Sequence, residues 1–143
     1  MKQLPKIHES RLVEPRYKIE QMDFEFANGE RRTYERIHGS GRPVVVIVPM
    51  LDADTVLLTR EYAAGLHRYD LGLPRGRVDA GETVLEGAQR ELKEETGYGA
   101  RELFELRSLS LAPTYMSHVA HVLLARDLYE ERLPGDEPEE IEV

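Results

Sequence analysis

The 143-residue sequence contains no cysteine, no tryptophan and just three phenylalanines. Without cysteine there is no disulfide, no thiolate metal centre and no cysteine nucleophile. No stretch approaches the roughly 18 consecutive apolar residues that span a bilayer. The N-terminal MKQLPKIHESRLVEPRYKIE also lacks an apolar run of signal-peptide length. A cytoplasmic protein with no membrane partner is expected. Positive charge is short as well: 19 Lys and Arg stand against 27 Asp and Glu, for a net charge of −8. Binding to nucleic acid rests on neutralising phosphates with cations, so no nucleic-acid partner is expected. A small phosphorylated ligand remains compatible, because Arg31, Arg32, Arg36 and Arg42, and then Arg75 and Arg77, gather basic charge locally.

What is present suits one domain, residues 1–143, with one sizeable core. MDFEF and RRTYERI alternate apolar and polar residues around Asn28-Gly29, the pattern of an antiparallel hairpin with a tight turn, over about residues 17–42. PVVVIVPM is a β-branched run without alternation, as in a strand buried on both faces. TVLLTREY, YDLGLP, LFELRSLSLA and HVAHVLLA read as further strands, and residues 83–96 as the one clear helix. LPGDEPEEIEV reads as an acidic loop running into a final short strand. The fold class is α/β, with a mixed sheet. One helix cannot cover both faces of so much sheet. A partner chain, or a C-terminal helix missing from this chain, is expected on the other face.

Residues 76–98, GRVDAGETVLEGAQRELKEETGY, carry six acids in 23 positions. Thr83 and Glu86 have capping-box spacing, and Gly97 stands where a helix ends. At about 100° per residue, Val84, Leu85, Ala88 and Leu92 form the buried stripe. Glu91 and Glu95 fall within about 20° of the direction of Val84, while Glu86 and Lys93 point to solvent. An acidic helix is usually a solvated face. Here two carboxylates one turn apart lie beside the apolar stripe, where burial raises their pKa values and like charge costs stability. A divalent cation would offset both costs. An all-oxygen donor set suits a hard ion, Mg²⁺ or Mn²⁺, of the kind that bridges carboxylates and substrate phosphates. Gly76 and Gly81 bracket the loop entering the helix and let backbone approach a ligand. Arg90 is placed to tie Glu82 or a neighbouring glutamate in position, or to serve as an ordinary ion pair.

The same segment resembles the signature of Nudix hydrolases at nine positions: Gly76, Glu82, Arg90, Glu91, Leu92, Glu94, Glu95, Gly97 and Tyr98. Tyr98 replaces the usual aliphatic residue. The resemblance implies a mixed sheet sandwiched between helices, and Mg²⁺-dependent hydrolysis of a nucleoside diphosphate linked to another moiety. By position it makes Glu91 and Glu95 the principal metal ligands, with Glu94 assisting and the backbone carbonyl of Arg75 contributing. Pro113, fifteen residues after Tyr98, stands where ADP-ribose pyrophosphatases carry a marker proline. FANGERRTYER, LLTREY, SLSLAPTYMS and DLYEERLPGDEPE resemble the ADP-compounds branch of the family, which acts on ADP-ribose, NADH and diadenosine polyphosphates and releases AMP. That branch implies a homodimer exchanging N-terminal strands, so that Arg31 and Arg32 would reach the partner's nucleotide. Ala63 and Gly72 stand where many ADP-ribose hydrolases have an arginine and an acid, leaving Arg60, Glu61 and Asp70 as candidate substitutes. Related enzymes take the general base from a downstream acidic loop, here GDEPEEIEV, which nominates Glu137 and Glu139. A nucleotide-sugar substrate and a non-catalytic nucleotide-binding module are the alternatives. The intact glutamate trio speaks against the second.

Overall fold

Alternating residues pair Lys18–Glu25 (β1) with Arg31–His38 (β2) as an antiparallel hairpin in the computed structural model of the chain, which describes residues 3–11, 17–38 and 41–143. Residues 39–40, inside the predicted 17–42 stretch, lie outside the described residues. The turn is wider than a two-residue tight turn. Phe26 N–H donates to Glu30 O (2.9 Å), Gly29 N–H donates to Phe26 O (2.8 Å), and Gly29 has φ 84°. This is a turn closed by a left-handed glycine bulge, the usual three-residue alternative.

The chain continues through β3 (Val44–Pro49), β4 (Thr59–Ala63), β5 (Arg68–Gly72), β6 (Arg75–Arg77), α1 (Val84–Thr96), β7 (Tyr98–Ser110) and β8 (Val119–Glu130). The central sheet has the order β6-β3-β8-β7. Its β3–β8 pair is parallel and the others antiparallel, so the expected mixed sheet is present. β4 and β5 form a separate antiparallel pair. Val45, Ile47, Leu123 and Ala125 from the sheet meet Ala88 and Leu92 of α1, with Val78 and Ala100 completing the core. Among the described residues α1 is the one helix, and none is long and apolar enough to cross a membrane.

Several expectations change in detail. β3 is buried on one face, not two: Val45, Ile47 and Pro49 are buried, whereas Val44, Val46 and Val48 are only partly covered. The β-branched run reflects strand propensity as much as burial. Leu85 is 47% exposed rather than part of the stripe, because it sits at the stripe's margin in the first turn. Lys93 is mostly covered by its ion pair with Glu131 (3.0 Å) and lies beside the Tyr129 ring. TVLLTREY becomes a strand only from Thr59, with Val56 bridged to Met50. The final strand reduces to one bridge between Glu142 and Arg60. β6 was not legible, because three residues containing a glycine carry no period.

The start of α1 is fixed as the sequence predicts. Glu86 N–H donates to Thr83 Oγ1 (3.2 Å) and Thr83 N–H donates to Glu86 Oε2 (2.8 Å), a reciprocal capping box. Gly97 closes the helix at φ 79°, its N–H donating to Lys93 O (3.1 Å). Thr83→Ala should lower stability by about 1 kcal/mol with little change in denaturant m-value. Urea unfolding followed by circular dichroism measures this, and an unmoved midpoint would show that the cap contributes nothing.

Candidate active site

The α1 register brings Glu91 and Glu95 against β6. They are 9% and 4% exposed. A Cβ built on Gly76 would overlap the Glu91 carboxyl group, so only glycine allows this approach. One residue earlier, Arg75 N–H donates to Glu95 Oε2 (3.0 Å). A short strand of the sheet thus lays its backbone directly on the two acids. Gly81, at φ 90°, turns the loop into the helix, and Asp79 N–H donates to Glu82 Oε2 (2.9 Å).

Arg90 ties this cluster together. Its guanidinium donates to Glu82 Oε1 (2.8 Å) and Oε2 (3.0 Å), Glu91 Oε1 (2.8 Å), Glu94 Oε2 (3.0 Å) and the Arg77 carbonyl (2.8 Å). These bonds hold the Glu82 carboxyl below its ordinary pKa and push that of Arg90 up. Glu91 behaves oppositely. Burial raises its pKa despite the arginine, and Glu94 and Glu137 add repulsion. Glu95 is pushed up to about 8, chiefly by burial. The Arg75 N–H opposes the shift, and Glu91, Glu61 and Glu137 add to it. Both groups are costly to ionise where they stand.

The acids open into a cleft of about 600 Å³. Arg42, Arg75 and Arg77 contribute basic walls, and Pro134 to Glu137 of the returning tail close the far side. A smaller pocket of about 270 Å³ adjoins it, sharing Glu61 and Glu137 and adding Arg60, Tyr62 and Ile141.

The structure therefore brings Arg75, Gly76, Arg90, Glu91, Glu94, Glu95, Glu61 and Glu137 to one cleft, with Glu82 joined to it through Arg90. Other predicted residues lie elsewhere. Arg60 lies in the adjoining pocket, paired with Glu142 (3.4 Å). Asp70 pairs with Arg68 (2.8 Å). Glu139 lines the smaller pocket and accepts the Tyr69 hydroxyl (2.6 Å). Arg31 and Arg32 stay on the hairpin, paired with Glu25 (2.6 Å) and Glu30 (2.8 Å). Pro113 is exposed in the β7–β8 connection. Asp79 and Asp136 line the cleft without having been singled out. Asp136 could have been found as the neighbour of Glu137.

Among the described residues no three acids or histidines converge into a closed metal cage. Glu91 and Glu94 give oxygens to Arg90, and Glu95 gives one to the Arg75 N–H. The donor chemistry nevertheless fits a hard divalent ion. Every candidate donor is oxygen, and two are buried carboxylates whose ionisation a cation would favour. Glu91, Glu95, Glu94 and the Arg75 carbonyl are the groups that could hold it.

Residues 41–143 match the NUDIX domain, and residues 5–36 match the NudE-type Nudix hydrolase N-terminal domain. The chain is 50% identical over 123 residues to the ADP compounds hydrolase NudE of Escherichia coli (strain K12), covering 86% of this chain and 66% of that protein. It is 31% identical over 123 residues to an ADP-ribose pyrophosphatase of Bacillus subtilis (strain 168), covering 85% and 65%. The chain thus spans just under two thirds of the length of these curated relatives. A crystal structure of an ADP compounds hydrolase aligns with a TM-score of 0.83 at 46% identity, over 98% of this chain and 76% of that one.

The raised Glu95 pKa fixes a pH dependence. An acid with a folded-state pKa above its unfolded value keeps its proton longer when folded. Stability is therefore greatest below the unfolded pKa near 4.5 and is lost as pH rises through about 8. Metal-free protein should lose on the order of a few kcal/mol across that window. Glu95→Gln should flatten the loss, and a divalent ion should reverse it. Thermal melts from pH 5 to 9, with EDTA and with Mg²⁺, test this. A slope equal to that of Glu95→Gln would refute the burial cost.

Proposed function

The chain belongs to the Nudix hydrolase family, and on that premise we propose that it hydrolyses the pyrophosphate bond of ADP-linked compounds, with ADP-ribose, NADH and diadenosine polyphosphates as the class and AMP as a product. The observation that carries this is the pair of buried carboxylates, Glu91 and Glu95, laid on the backbone of β6 at the floor of an arginine-walled cleft. Mg²⁺ or Mn²⁺, held by Glu91, Glu95, Glu94 and the Arg75 carbonyl, would supply Lewis-acid charge neutralisation at the phosphates.

The chain's own groups do the rest. Arg42 and Arg77 line the cleft where phosphate oxygens would lie and would orient them. Arg90 keeps Glu91 and Glu94 in place through hydrogen bonds. Glu137, rather than Glu139, is the proposed general base, because it reaches the cleft while the Glu139 carboxylate accepts the Tyr69 hydroxyl. It would take a proton from water as the water oxygen bonds to one phosphorus and the bridging P–O bond breaks. Arg60 and Glu61 border the adjoining pocket and would contact the nucleoside half.

The reading includes a homodimer in the cytoplasm, formed through the N-terminal hairpin. Ile19, Phe24, Phe26 and Tyr34 are exposed on that hairpin, which joins the domain where Ile37 N–H donates to Tyr115 O (2.8 Å). Apolar exposure of this kind suits a partner surface, and it supports placing Arg31 and Arg32 near a second chain.

Purified protein incubated with Mg²⁺ and ADP-ribose, NADH, diadenosine triphosphate or GDP-mannose should release AMP from the adenine compounds, and EDTA should stop it. Product from GDP-mannose alone would instead identify a nucleotide-sugar hydrolase. Binding of these compounds without product would identify a nucleotide-binding module. Glu95→Gln should lower kcat by about 100-fold or more with the fold retained. Glu137→Gln should lower kcat by about 100-fold with little change in KM. A full-rate Glu137→Gln enzyme would exclude it as the base.

A further inference from the structure

The tail that carries Glu137 is pinned at both ends. Where it leaves β8, Glu131 N–H donates to Gly97 O (2.9 Å) and Leu133 N–H donates to Lys93 O (3.3 Å), fastening it to the end of α1. At its other end Arg60 N–H donates to Glu142 O (2.7 Å), and the neighbouring Ile141 is buried. Between these anchors the chain bends through two prolines and Gly135 with no regular structure. Such a span holds a side chain over a cleft only if something fixes its middle.

Tyr69 supplies that contact. Its hydroxyl donates to Glu139 Oε1 at 2.6 Å, with the Gln3 carbonyl a longer second neighbour at 3.4 Å. The ring is itself held, because Tyr69 stands opposite Tyr62 in the β4–β5 pair with ring centroids 5.8 Å apart, edge to face. A short bond to a carboxylate is among the stronger hydrogen bonds available to a side chain. Glu139 pushes the Tyr69 phenol up to about 12, so the hydroxyl remains a donor throughout the working pH range. Glu139 lies two residues from Glu137, whose carboxylate folds back against the bare Cα of Gly135 and faces the cleft.

We propose that the Tyr69–Glu139 bond is a latch that fixes the middle of the tail and thereby holds Glu137 over Glu91 and Glu95. Tyr69 is then a positioning residue and Glu139 its anchor. The catalytic part of this inference rests on the hydrolase reading above; the latch itself does not.

Tyr69→Phe keeps the ring and its packing on Tyr62 and deletes only the hydroxyl. It should lower kcat about 10-fold at unchanged KM, since displacement of a reacting group by a fraction of an ångström has this effect. Glu139→Ala should lower kcat at least as far. Glu139→Gln, whose amide oxygen still accepts, should recover most of the loss. The double variant Tyr69→Phe/Glu139→Ala should be no slower than Glu139→Ala alone, as for two ends of one bond. Hydrogen exchange on the same proteins should show faster exchange confined to residues 135–140 in Tyr69→Phe. That measurement keeps the latch testable even if no substrate is turned over. Wild-type exchange there would overturn the latch. Wild-type kcat, or a loss expressed only in KM, would overturn the positioning role.

Discussion

The site depends on one guanidinium. Glu82, Glu91 and Glu94 all bond to Arg90, which is itself about four-fifths covered. Without it three carboxylates would face one another at a partly dry surface, an arrangement that costs several kcal/mol through unpaired charge. Arg90 also reaches the Arg77 carbonyl and so ties the helix to β6. That tie sets the height of β6 against α1, which in turn puts Gly76 on Glu91 and the Arg75 N–H on Glu95. Fold and site therefore share this fastening. The same bonds make Arg90 a competitor for the oxygens a cation would need. An ion bound as proposed would have to draw Glu91 and Glu94 partly away from Arg90, which gives no hydrogen bond to Glu95.

The helix was legible because its constraints are local. Capping-box spacing, a terminal glycine and the helical angle suffice to place Thr83, Gly97, Glu91 and Glu95, and the structure places them so. Leu85 is exposed because it stands at the edge of the apolar arc, and the helical angle alone does not say how far burial extends across that arc. β6 was invisible for a related reason. Three residues pair with Val44 to Val46 through backbone groups, and backbone groups leave no signature in side-chain type.

Long-range placement was harder. Glu137 and Glu139 share one acidic stretch and look equivalent in sequence, yet one faces the cleft and the other accepts a hydroxyl from a tyrosine 70 positions earlier. No periodicity encodes that choice; the fold of β4 and β5 does. Asp70 and Arg60 likewise looked available and turn out to be paired with Arg68 and Glu142. The arginines of the hairpin had a composition suited to phosphate. Their neighbours Glu25 and Glu30 absorb that charge within the single chain.

The charge balance of the cleft orders events in the proposed reaction. Four arginines (Arg42, Arg75, Arg77 and Arg90) face seven acids (Glu61, Asp79, Glu91, Glu94, Glu95, Asp136 and Glu137), leaving three formal negative charges. A pyrophosphate entering such a cleft would be repelled. Near neutral pH the raised pKa of Glu95 lets it keep a proton, which relieves part of this repulsion but leaves an acid unable to act as a strong ligand. A divalent cation held by Glu91 and Glu95 would take the place of that proton and would add positive charge beside the phosphates. In the proposed reaction the cation would thus precede or accompany the anion. The crowding of carboxylates on α1, unfavourable without a counter-ion, would on this reading make productive binding conditional on a cation.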